Sequence, residues 1–530
     1  MGNQRGSKRV SDQLNKTLQT LQNLQEIRCL EGITHGIEKE SLRINRNGHI
    51  ALTPHPEGLG SPLTHEFVTT DFSEALIEFI TPTFQDPETS LSYLHDIHSF
   101  VYSQLPEDEL LWTSSMPCII DDDQQIPLAQ YGSSNIGKLK TLYRRGLGHR
   151  YTRAMQTIAG IHFNFSLPDD FWTLYQGILA SSESLQDFKT QQYFHLIRNF
   201  RRYSWLLIYL FGSSPAVCKS FLKNKTQHDL IPFDEHTFHM PYGTSLRMGD
   251  LGYTSAAQSS LVISYNSLEE YVAGLRKAIN TPYPPYEAFA QQGQGHQQIN
   301  SNILQIENEF YTTIRPKRVS RNGERPIQSL TEGGVEYIEV RCLDLNPFLP
   351  MGIDETQIQF MNAFLIFCLL RKSPLSSEDE YREIQENFSA VVTLGRKADL
   401  QLQQNGSPIS MRDWADEILM ETRAVAELLD RNTPHASYVS AVAEQLAKVE
   451  NPELTPSAQI LAQMKKNNQP YFPFAMDLSL QHANLFAEKL SPDKLAGFKA
   501  VSEQSRQERE EIENSDSMDF DSFLIQANRS

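Results

Sequence analysis

Residues 156–167 contain the feature that most restricts the fold of this chain, a regular alternation of apolar and polar side chains. Ile161 and Phe163 alternate there with His162 and Asn164. A period of two residues is typical of a β-strand, whose successive side chains lie on opposite faces of the sheet. The pattern therefore predicts a strand with one apolar and one polar face, and the polar face lines either solvent or a polar cavity.

The charge of the chain excludes two classes of partner. Its 530 residues include 47 Lys and Arg against 65 Asp and Glu, a formal net charge of −18. Nucleic acids and anionic membrane surfaces are bound by clustered cations that neutralise phosphate. We therefore expect no nucleic-acid partner and no membrane-binding face. The hydrophobic content of 39% is enough for a packed core, in one very large domain or in two or three ordinary ones.

The cysteines and the apolar stretches indicate a cytoplasmic protein. The five cysteines are scattered singly, which favours a reducing compartment over a disulfide or zinc framework. The longest apolar stretches, near 205–211 and 364–370, are shorter than the roughly 20 residues that cross a bilayer, and they are typical of buried helices. We also expect no secretory signal, because an amphipathic run follows the first charged residues.

Helical periodicity at both ends encloses a strand-rich middle. Leucine spacing predicts a packing helix over 10–30, and short alternating runs predict strands from Gly32 to about Phe348. The later predicted helices cover 355–372, 377–389, 411–431, 434–449, 455–466 and 482–492, with breaks at Gly406, Pro434, Pro452 and Pro473. We therefore predict a catalytic, sheet-containing region over 1–350 and a helical region over 351–530 packed on it, ending in a charged helix and tail.

Acidic side chains share a face in several short segments. Glu38 and Glu40 are separated by one residue, and so are Glu307 and Glu309, which places each pair on one face of a predicted strand. Glu78 lies among apolar residues, where a buried carboxylate needs a compensating cation or donor. Its segment fits a strand or a helix equally well. The alternative for Glu38 and Glu40 is a solvated strand face without a function, and for Glu78 it is a surface acid at the end of an element.

Cations accompany the acids near the end of the strand-rich region. Glu339 and Arg341 share a predicted strand face, either as a site for a metal and an oxyanion or as a simple salt bridge. Arg315, Lys317 and Arg318 form a local cationic cluster that fits recognition of phosphate or an exposed basic turn.

Carboxylates combined with one imidazole, His162, suit Mg²⁺ or Mn²⁺. The sequence has neither a P-loop motif nor a strand-linked Gly-x-Gly-x-x-Gly, so a nucleotide would be held through metal and arginines. The residues themselves indicate a divalent-metal site on a sheet and leave the reaction undefined.

Nine motifs occur in order along the chain. They begin at Gly36, Thr69, Ser115, Gln130, Gln156, Ser245, Ile306, Ile314 and Glu336, and they include Gly-Ile-Glu-Lys-Glu-Ser-Leu-Arg and Glu-Tyr-Ile-Glu-Val-Arg-Cys-Leu-Asp. The set resembles the bacterial glutamate–cysteine ligase (γ-glutamylcysteine synthetase) family of the proteobacterial type, most closely from about Glu31 to Pro350. The resemblance implies an α+β fold, in which a curved, mostly antiparallel sheet forms a glutamine synthetase-like funnel surrounded by helices.

The resemblance also implies a reaction. In this family ATP phosphorylates the γ-carboxylate of glutamate, and the amine of cysteine then attacks the acyl phosphate, which gives γ-glutamylcysteine, ADP and phosphate in the first step of glutathione biosynthesis. Phosphoryl transfer depends on positioning and on neutralising charge. The implied partners are glutamate, cysteine and ATP, with Mg²⁺, or Mn²⁺ in its place, as cofactor, and the expected state is a monomer.

Residue roles follow from the resemblance at matching positions. The implied metal ligands are Glu38, Glu40, Asp71, Glu78, His162 and Glu339. The implied catalytic residues are Arg247, Arg341 and Glu339. Substrate binding is implied for Phe72, Tyr143, Arg144, Gln156, Tyr253 and Tyr311, and nucleotide or phosphate binding for Arg315, Lys317 and Arg318. Gly249 and Cys342 depart from the family pattern, and we expect Cys342 to be a packing thiol.

Three other functions stay open at this point. A related ligase could join glutamate to another small amine, and a non-catalytic protein could bind metal or glutamate without turnover. A two-metal hydrolase could cleave a phosphoester without either amino acid.

Overall fold

The computed structural model of the protein describes residues 11–23, 30–117, 119–223, 228–252, 256–259, 261–291, 295–320, 324–433 and 437–529. Its strands are β1 (Thr34–Asn45), β2 (Val68–Thr70), β3 (Leu76–Ile80), β4 (Glu109–Trp112), β5 (Ile161–Ser166), β6 (Ala216–Cys218), β7 (Ile231–Pro232), β8 (Thr237–His239), β9 (Ile314–Lys317), β10 (Tyr337–Leu343), β11 (Gln401–Gln404) and β12 (Ser407–Ser410). Its helices are α1 (Asp12–Gln22), α2 (Pro87–Tyr102), α3 (Asn135–Tyr151), α4 (Asp169–Ile178), α5 (Leu185–Phe211), α6 (Ala256–Ser259), α7 (Leu268–Asn280), α8 (Pro284–Glu287), α9 (Pro326–Gly333), α10 (Glu355–Leu370), α11 (Glu378–Leu394), α12 (Met411–Asn432), α13 (Tyr438–Glu450), α14 (Pro456–Lys466), α15 (Tyr471–Phe486), α16 (Pro492–Ser515) and α17 (Phe520–Arg529).

The main sheet is antiparallel. Its strands lie in the order β2-β3-β1-β5-β10-β9, and β4 pairs with the far end of β1. Every pairing in it is antiparallel, which confirms the α+β class with an antiparallel sheet and helices around it. Because β5 covers Ile161–Ser166, the strand predicted from alternation is also confirmed. The segment around Glu78 forms β3, so a strand and not a helix holds this carboxylate.

One face of the sheet is apolar and forms part of the core. Ile37, Phe79, Phe163 and Val340 lie on this face and are fully buried. Helices α2, α5 and α10 pack on this side, and the stretches predicted as buried helix fall within α5 and α10. Among the helices of the described residues, none is apolar over a length sufficient to span a bilayer.

The C-terminal half is largely helical, as predicted, with two differences. Helix α15 includes Pro473, where we predicted a break between helices. This proline lies in the first turn of the helix, where it costs no intrahelical hydrogen bond. The predicted helix over 482–492 is therefore wrong, because it joins the end of α15 to the start of α16. Strands β11 and β12 form an unpredicted hairpin. Its turn residues, Asn405 and Gly406, both have positive φ, as expected of an Asn-Gly hairpin turn.

The N-terminal helix matches its predicted role. In α1, Leu14, Leu18 and Leu21 are buried, and the helix packs against α12. A single apolar cluster contains residues from both sides of residue 350, while the division into two regions there stays a prediction.

Candidate active site

Acidic side chains and one imidazole meet on the polar face of the main sheet. The strand register places Glu40 opposite Glu78 and Glu38 opposite His162. One ligand atom each from Glu38, Glu78 and His162 lies within 4.8 Å of the others. Three strands that are far apart in sequence therefore bring these predicted metal ligands together.

Glu40 and Glu339 adjoin this group. His162 Nδ1 lies 3.0 Å from Glu38 Oε2 and 4.0 Å from Glu339 Oε1, and His162 Nε2 lies 3.8 Å from Glu40 Oε1. Glu40 Oε2 also accepts a hydrogen bond of 2.6 Å from the amide of Gly160. Asp71 is close enough for its charge to raise the pKa of both Glu40 and Glu78.

The carboxylates repel one another. Burial, followed by the charge of Asp71, raises the pKa of Glu40 to about 8. Burial and the neighbouring acids hold the pKa of Glu78 well above its usual range. Burial alone would have the same effect on Glu339, but Lys317 and Arg341 hold the pKa of that carboxyl well below its usual range. The part of the site around Glu78 thus lacks positive charge, which a cation would supply.

The donor set fits a hard divalent cation. Carboxylate oxygens and an imidazole nitrogen are ligands of Mg²⁺ and Mn²⁺. Within the described residues, the amide oxygen of Asn164 is buried without a hydrogen-bond partner, while its Nδ2 donates to Glu38 Oε1 at 2.8 Å. A cation or a substrate N–H would satisfy this oxygen. The residues present therefore fit a divalent metal.

Arg341 lies at an irregularity in the sheet. The pairing of β10 with β5 shifts register between Val340 and Leu343, as in a β-bulge, and bulges of this kind redirect side chains near active sites. Arg341 Nη1 lies 3.0 Å from Glu339 Oε2. The salt bridge considered from the sequence is therefore present, and the same guanidinium also lines a cavity. Cys342 is buried, in agreement with a packing role.

Arg247 approaches the same place from the loop after β8. Its Nη2 donates to the carbonyl of Arg341 at 2.9 Å, and its Nη1 lies 3.8 Å from Asp344. The guanidinium fits against Gly160, where a Cβ atom would lie 2.0 Å from Nη2. The residue before β5 is therefore glycine because the arginine needs the space.

Gly160→Ala is expected to displace Arg247 and to lower kcat by about tenfold to a hundredfold, because small misplacements of catalytic groups are costly. Steady-state ADP release at saturating substrates measures the effect. Gly177→Ala in α4 is the matched control, because a Cβ there meets nothing within 4 Å. Equal kcat in the two variants, with equal thermal unfolding midpoints, would show that Arg247 does not depend on Gly160.

The predicted nucleotide-binding cations divide into two groups. Arg315 and Lys317 lie on β9, where Arg315 is opposite Glu339 and Lys317 Nζ is 3.3 Å from Glu339 Oε1. Arg318 lies beyond the strand, and its guanidinium donates to the carbonyl of Gly334 at 3.1 Å. The structure thus brings Arg315 and Lys317 to the acidic cluster and directs Arg318 elsewhere.

The predicted substrate residues in the described part of the chain come from several elements: Gln156 precedes β5, Tyr143 and Arg144 lie on α3, Phe72 lies between β2 and β3, and Tyr311 precedes β9. Gln156 Nε2 donates to the hydroxyl of Tyr311 at 2.7 Å, which brings this pair together. Phe72 is buried, and Tyr143 packs against apolar residues of α3. Tyr253 lies outside the described residues.

Arg144 serves the local structure of this region. Its guanidinium donates to the backbone carbonyls of Asp71, Thr70 and Lys140 and lies 4.5 Å from the ring centre of Tyr131. It therefore links α3 to the turn between β2 and β3. Its predicted contact with a substrate carboxylate stays a prediction.

A cavity of about 400 Å³ opens beside the two arginines. Its wall includes Arg247, Arg341 and Tyr311, together with Gln258 and Arg201. The guanidinium of Arg201 lies between the rings of Tyr265 and Tyr381, 4.5 and 4.7 Å from their centres. No sequence pattern pointed to Arg201, because it lies within the long helix α5.

The prediction that Glu307 and Glu309 belong to an inward strand face is wrong. Their segment forms a 3-10 helix, Glu307–Glu309. Glu309 Oε1 lies 2.8 Å from Arg150 Nη1, with both side chains fully buried, and Glu307 Oε2 lies 2.7 Å from Arg325 Nη2. Both acids form ion pairs with arginines away from the β1–β3–β5 cluster. We therefore assign these two ion pairs a structural role.

Comparisons with known proteins identify the family of this chain. The sequence profile of the family "Glutamate-cysteine ligase" matches residues 18–391. Glutamate–cysteine ligase of Alcanivorax borkumensis is 49% identical over 518 residues, which cover 96% of this chain and 98% of that protein. That of Pseudomonas putida is 49% identical over 517 residues, which cover 97% and 98%.

A solved structure is similar over nearly the whole chain. The crystal structure of glutamate–cysteine ligase from Francisella tularensis, in complex with AMP, superposes with a TM-score of 0.87 at 36% identity and covers 94% of this chain and 97% of that one. The profile, the curated relatives and the solved structure all give the same family. The chain belongs to the glutamate–cysteine ligase family.

Proposed function

We propose that this protein joins the γ-carboxylate of glutamate to the amine of cysteine at the expense of ATP, giving γ-glutamylcysteine, ADP and phosphate. The observation that carries the proposal is the convergence of Glu38, Glu78 and His162 beside Glu339 and Arg341 on one sheet face, in a chain of this family. Acids that would hold a divalent cation, beside an arginine, suit a reaction between two anions, ATP and a carboxylate, because the cation and the arginine would offset the negative charge.

The first step needs neutralisation of charge. A γ-carboxylate oxygen of glutamate attacks the γ-phosphorus of ATP, the bond to the β–γ bridging oxygen breaks, and ADP leaves. Arg341 and Arg247, which share a cavity wall, are placed to bind the oxygens of the transferred phosphoryl group. Arg315 and Lys317 lie beyond Glu339 on β9 and would bind the nucleotide phosphates.

The second step needs an oriented amine. The cysteine nitrogen attacks the acyl carbon, loses a proton, and phosphate leaves. Gln156 and Tyr311, joined by their hydrogen bond, would form the cysteine pocket together with Tyr143. Arg201, Arg247 and Arg341 give the adjoining cavity a cationic wall, which suits glutamate with its two carboxylates.

Glu38, Glu78 and His162 would hold Mg²⁺, with Glu40, Asp71 and Glu339 as further acids. When bound, the ion supplies positive charge against the phosphates of ATP. We further propose that the sheet curves into the funnel implied by the resemblance. All of these residues come from one chain, so a monomer suffices.

Omitting each substrate in turn tests the proposed function. ADP release by the purified protein with Mg²⁺ should require both glutamate and cysteine. A strong preference for another amine across a panel of amino acids would instead identify a related ligase. Phosphate release without either amino acid would identify a hydrolase, and no ADP release with all three substrates would refute the proposal.

A further inference from the structure

The C-terminal helix lies against the helix that carries predicted substrate residues. Leu524 of α17 is buried in a small apolar cluster with Leu142 of α3 and Ile299. Tyr143, assigned above to the cysteine pocket, packs on the same cluster. The last helix of the chain thus supports α3 directly behind this residue, although the acidic sequence 504–530 predicted a charged helix and tail.

Acidic side chains before α17 bind the first turn of α3. Asp516 Oδ2 accepts a hydrogen bond of 2.6 Å from the amide of Asn135, and Asn135 Nδ2 donates to the carbonyl of Met518 at 2.9 Å. Glu513 Oε1 accepts a 2.6 Å bond from the amide of Ser133. The first amides of a helix have no partner within it and carry partial positive charge. These carboxylates therefore fix both the position and the direction of α3.

Gly132 makes this approach possible. It has a φ of +85°, and a Cβ atom there would lie 2.3 Å from Glu513 Oε1. A larger residue would push the carboxylate away from the Ser133 amide. The loop before α3 is thus shaped to receive the C-terminal segment.

A second set of contacts links α17 to the loop after α8. Asn528 Nδ2 donates to the carbonyl of Ile299 at 3.2 Å, and Asn528 Oδ1 accepts from Asn300 Nδ2 at 3.1 Å. Gln305 Oε1 accepts from the amide of Ile299 at 2.9 Å, and Gln305 Nε2 donates to the carbonyl of Tyr143 at 3.2 Å. A continuous path of hydrogen bonds therefore joins α17 to the backbone of Tyr143.

We propose that residues 513–528, the C-terminal clasp, position α3 and thereby set the affinity for the amine substrate. This inference rests on the proposed function, since that function places Tyr143 beside cysteine. The clasp touches no reacting group, so its residues act by positioning. Loosening it should weaken cysteine binding while leaving unchanged the glutamate subsite beside Arg201, Arg247 and Arg341 and the ATP subsite on β9.

Leu524→Ala is expected to raise KM for cysteine about three- to tenfold, with kcat and KM for ATP changed by less than about twofold. Ile525→Ala is the matched control, because the neighbouring Ile525 side chain is 55% exposed. Amide hydrogen exchange over residues 135–151 should rise in Leu524→Ala and stay at the wild-type rate in Ile525→Ala, with or without substrates.

A second pair of variants tests the polar contact. Asp516→Ala should also raise KM for cysteine, and Asp516→Asn should recover most of the loss because its amide oxygen can still accept from Asn135. Unchanged exchange over 135–151 in both Leu524→Ala and Asp516→Ala would overturn the clasp. So would an equal change in KM for all three substrates. Absence of cysteine-dependent ADP release in the wild type would instead refute the proposed function, and the exchange measurement would still decide whether the clasp holds α3.

Discussion

Glu38→Gln is expected to lower the rate of ADP release by about three orders of magnitude while leaving the fold intact. The change keeps the size of the side chain and removes the charge from the group formed with Glu78 and His162. Losing one preorganised electrostatic contact at a reacting phosphate typically costs about 10²–10³ in rate. Initial rates of ADP release, with all substrates saturating and Mg²⁺ varied, measure the loss.

The stability of this variant should also fall. Burial alone would raise the pKa of Glu38, but the hydrogen bond to His162 and the charge of Lys317 hold it below its usual value, so the charged form is favoured in the folded protein. A depressed carboxyl pKa contributes stability at pH values above the unfolded pKa, and this contribution is lost when the charge is removed. The thermal unfolding midpoint at neutral pH without Mg²⁺ should therefore be lower than that of the wild type, and the difference should shrink as the pH falls through the range in which Glu38 titrates.

Glu336→Gln is the control for this experiment. Glu336 is an exposed acid immediately before β10, and its Oε2 accepts a hydrogen bond of 3.2 Å from the amide of Val319. It should keep turnover within about twofold of the wild type. A Glu38→Gln protein with comparable turnover would remove Glu38 from the site, and one with an unfolding midpoint equal to that of the wild type would mean that the Glu38 charge does not stabilise the folded protein.

Local patterns predicted the strands of the site but not how they pair. Alternation within single segments was enough for β5 and β10, because each of these strands has one apolar and one polar face. The contact of Glu38 with His162, and of Asn164 with Glu339, depends on register between strands more than a hundred residues apart. The patterns alone indicated a divalent-metal site on a sheet, and the resemblance to a family assigned the roles of the individual residues.

The two Glu-x-Glu segments illustrate the limit of such patterns. Glu38 and Glu40 have the same spacing as Glu307 and Glu309, yet the first pair lies on a strand and the second in a 3-10 helix. The difference comes from the surroundings, because a fully buried Arg150 neutralises Glu309. No local signal could reveal this partner, which lies on another helix.

Other features had signals of different strength. The Asn405-Gly406 turn of the β11–β12 hairpin is a strong short-range signal, and it could have been recognised. Arg201 and the C-terminal clasp had no local sequence signal, since their roles depend on the aromatic rings and helix ends that surround them in space.

Arg341→Met is expected to lower kcat by about 10³-fold or more, and Arg341→Lys by an intermediate amount. Arginines that stabilise a transferring phosphoryl group contribute on the order of 10³–10⁵ to kcat. Lysine keeps the charge but lacks the planar fork that binds two oxygens at once. Single-turnover ADP release, with glutamate and cysteine bound before ATP is added, measures the loss in phosphoryl transfer.

The surroundings of Arg341 explain why a lysine at this position should not restore full activity. Its guanidinium lies 3.0 Å from Glu339 Oε2 and lines the cavity. The register shift in β10 sets the direction of the side chain. The carbonyl of Arg341 accepts a hydrogen bond from Arg247. A lysine at this position would pair with Glu339 as a point charge and leave the cavity oxygens without a second donor. Both variants should therefore retain KM for ATP within about threefold and lose kcat. Arg382→Met is the control, because the side chain of Arg382 is exposed. If Arg341→Lys had the same kcat as this control, only the charge of Arg341, and not its planar fork, would be used at this position.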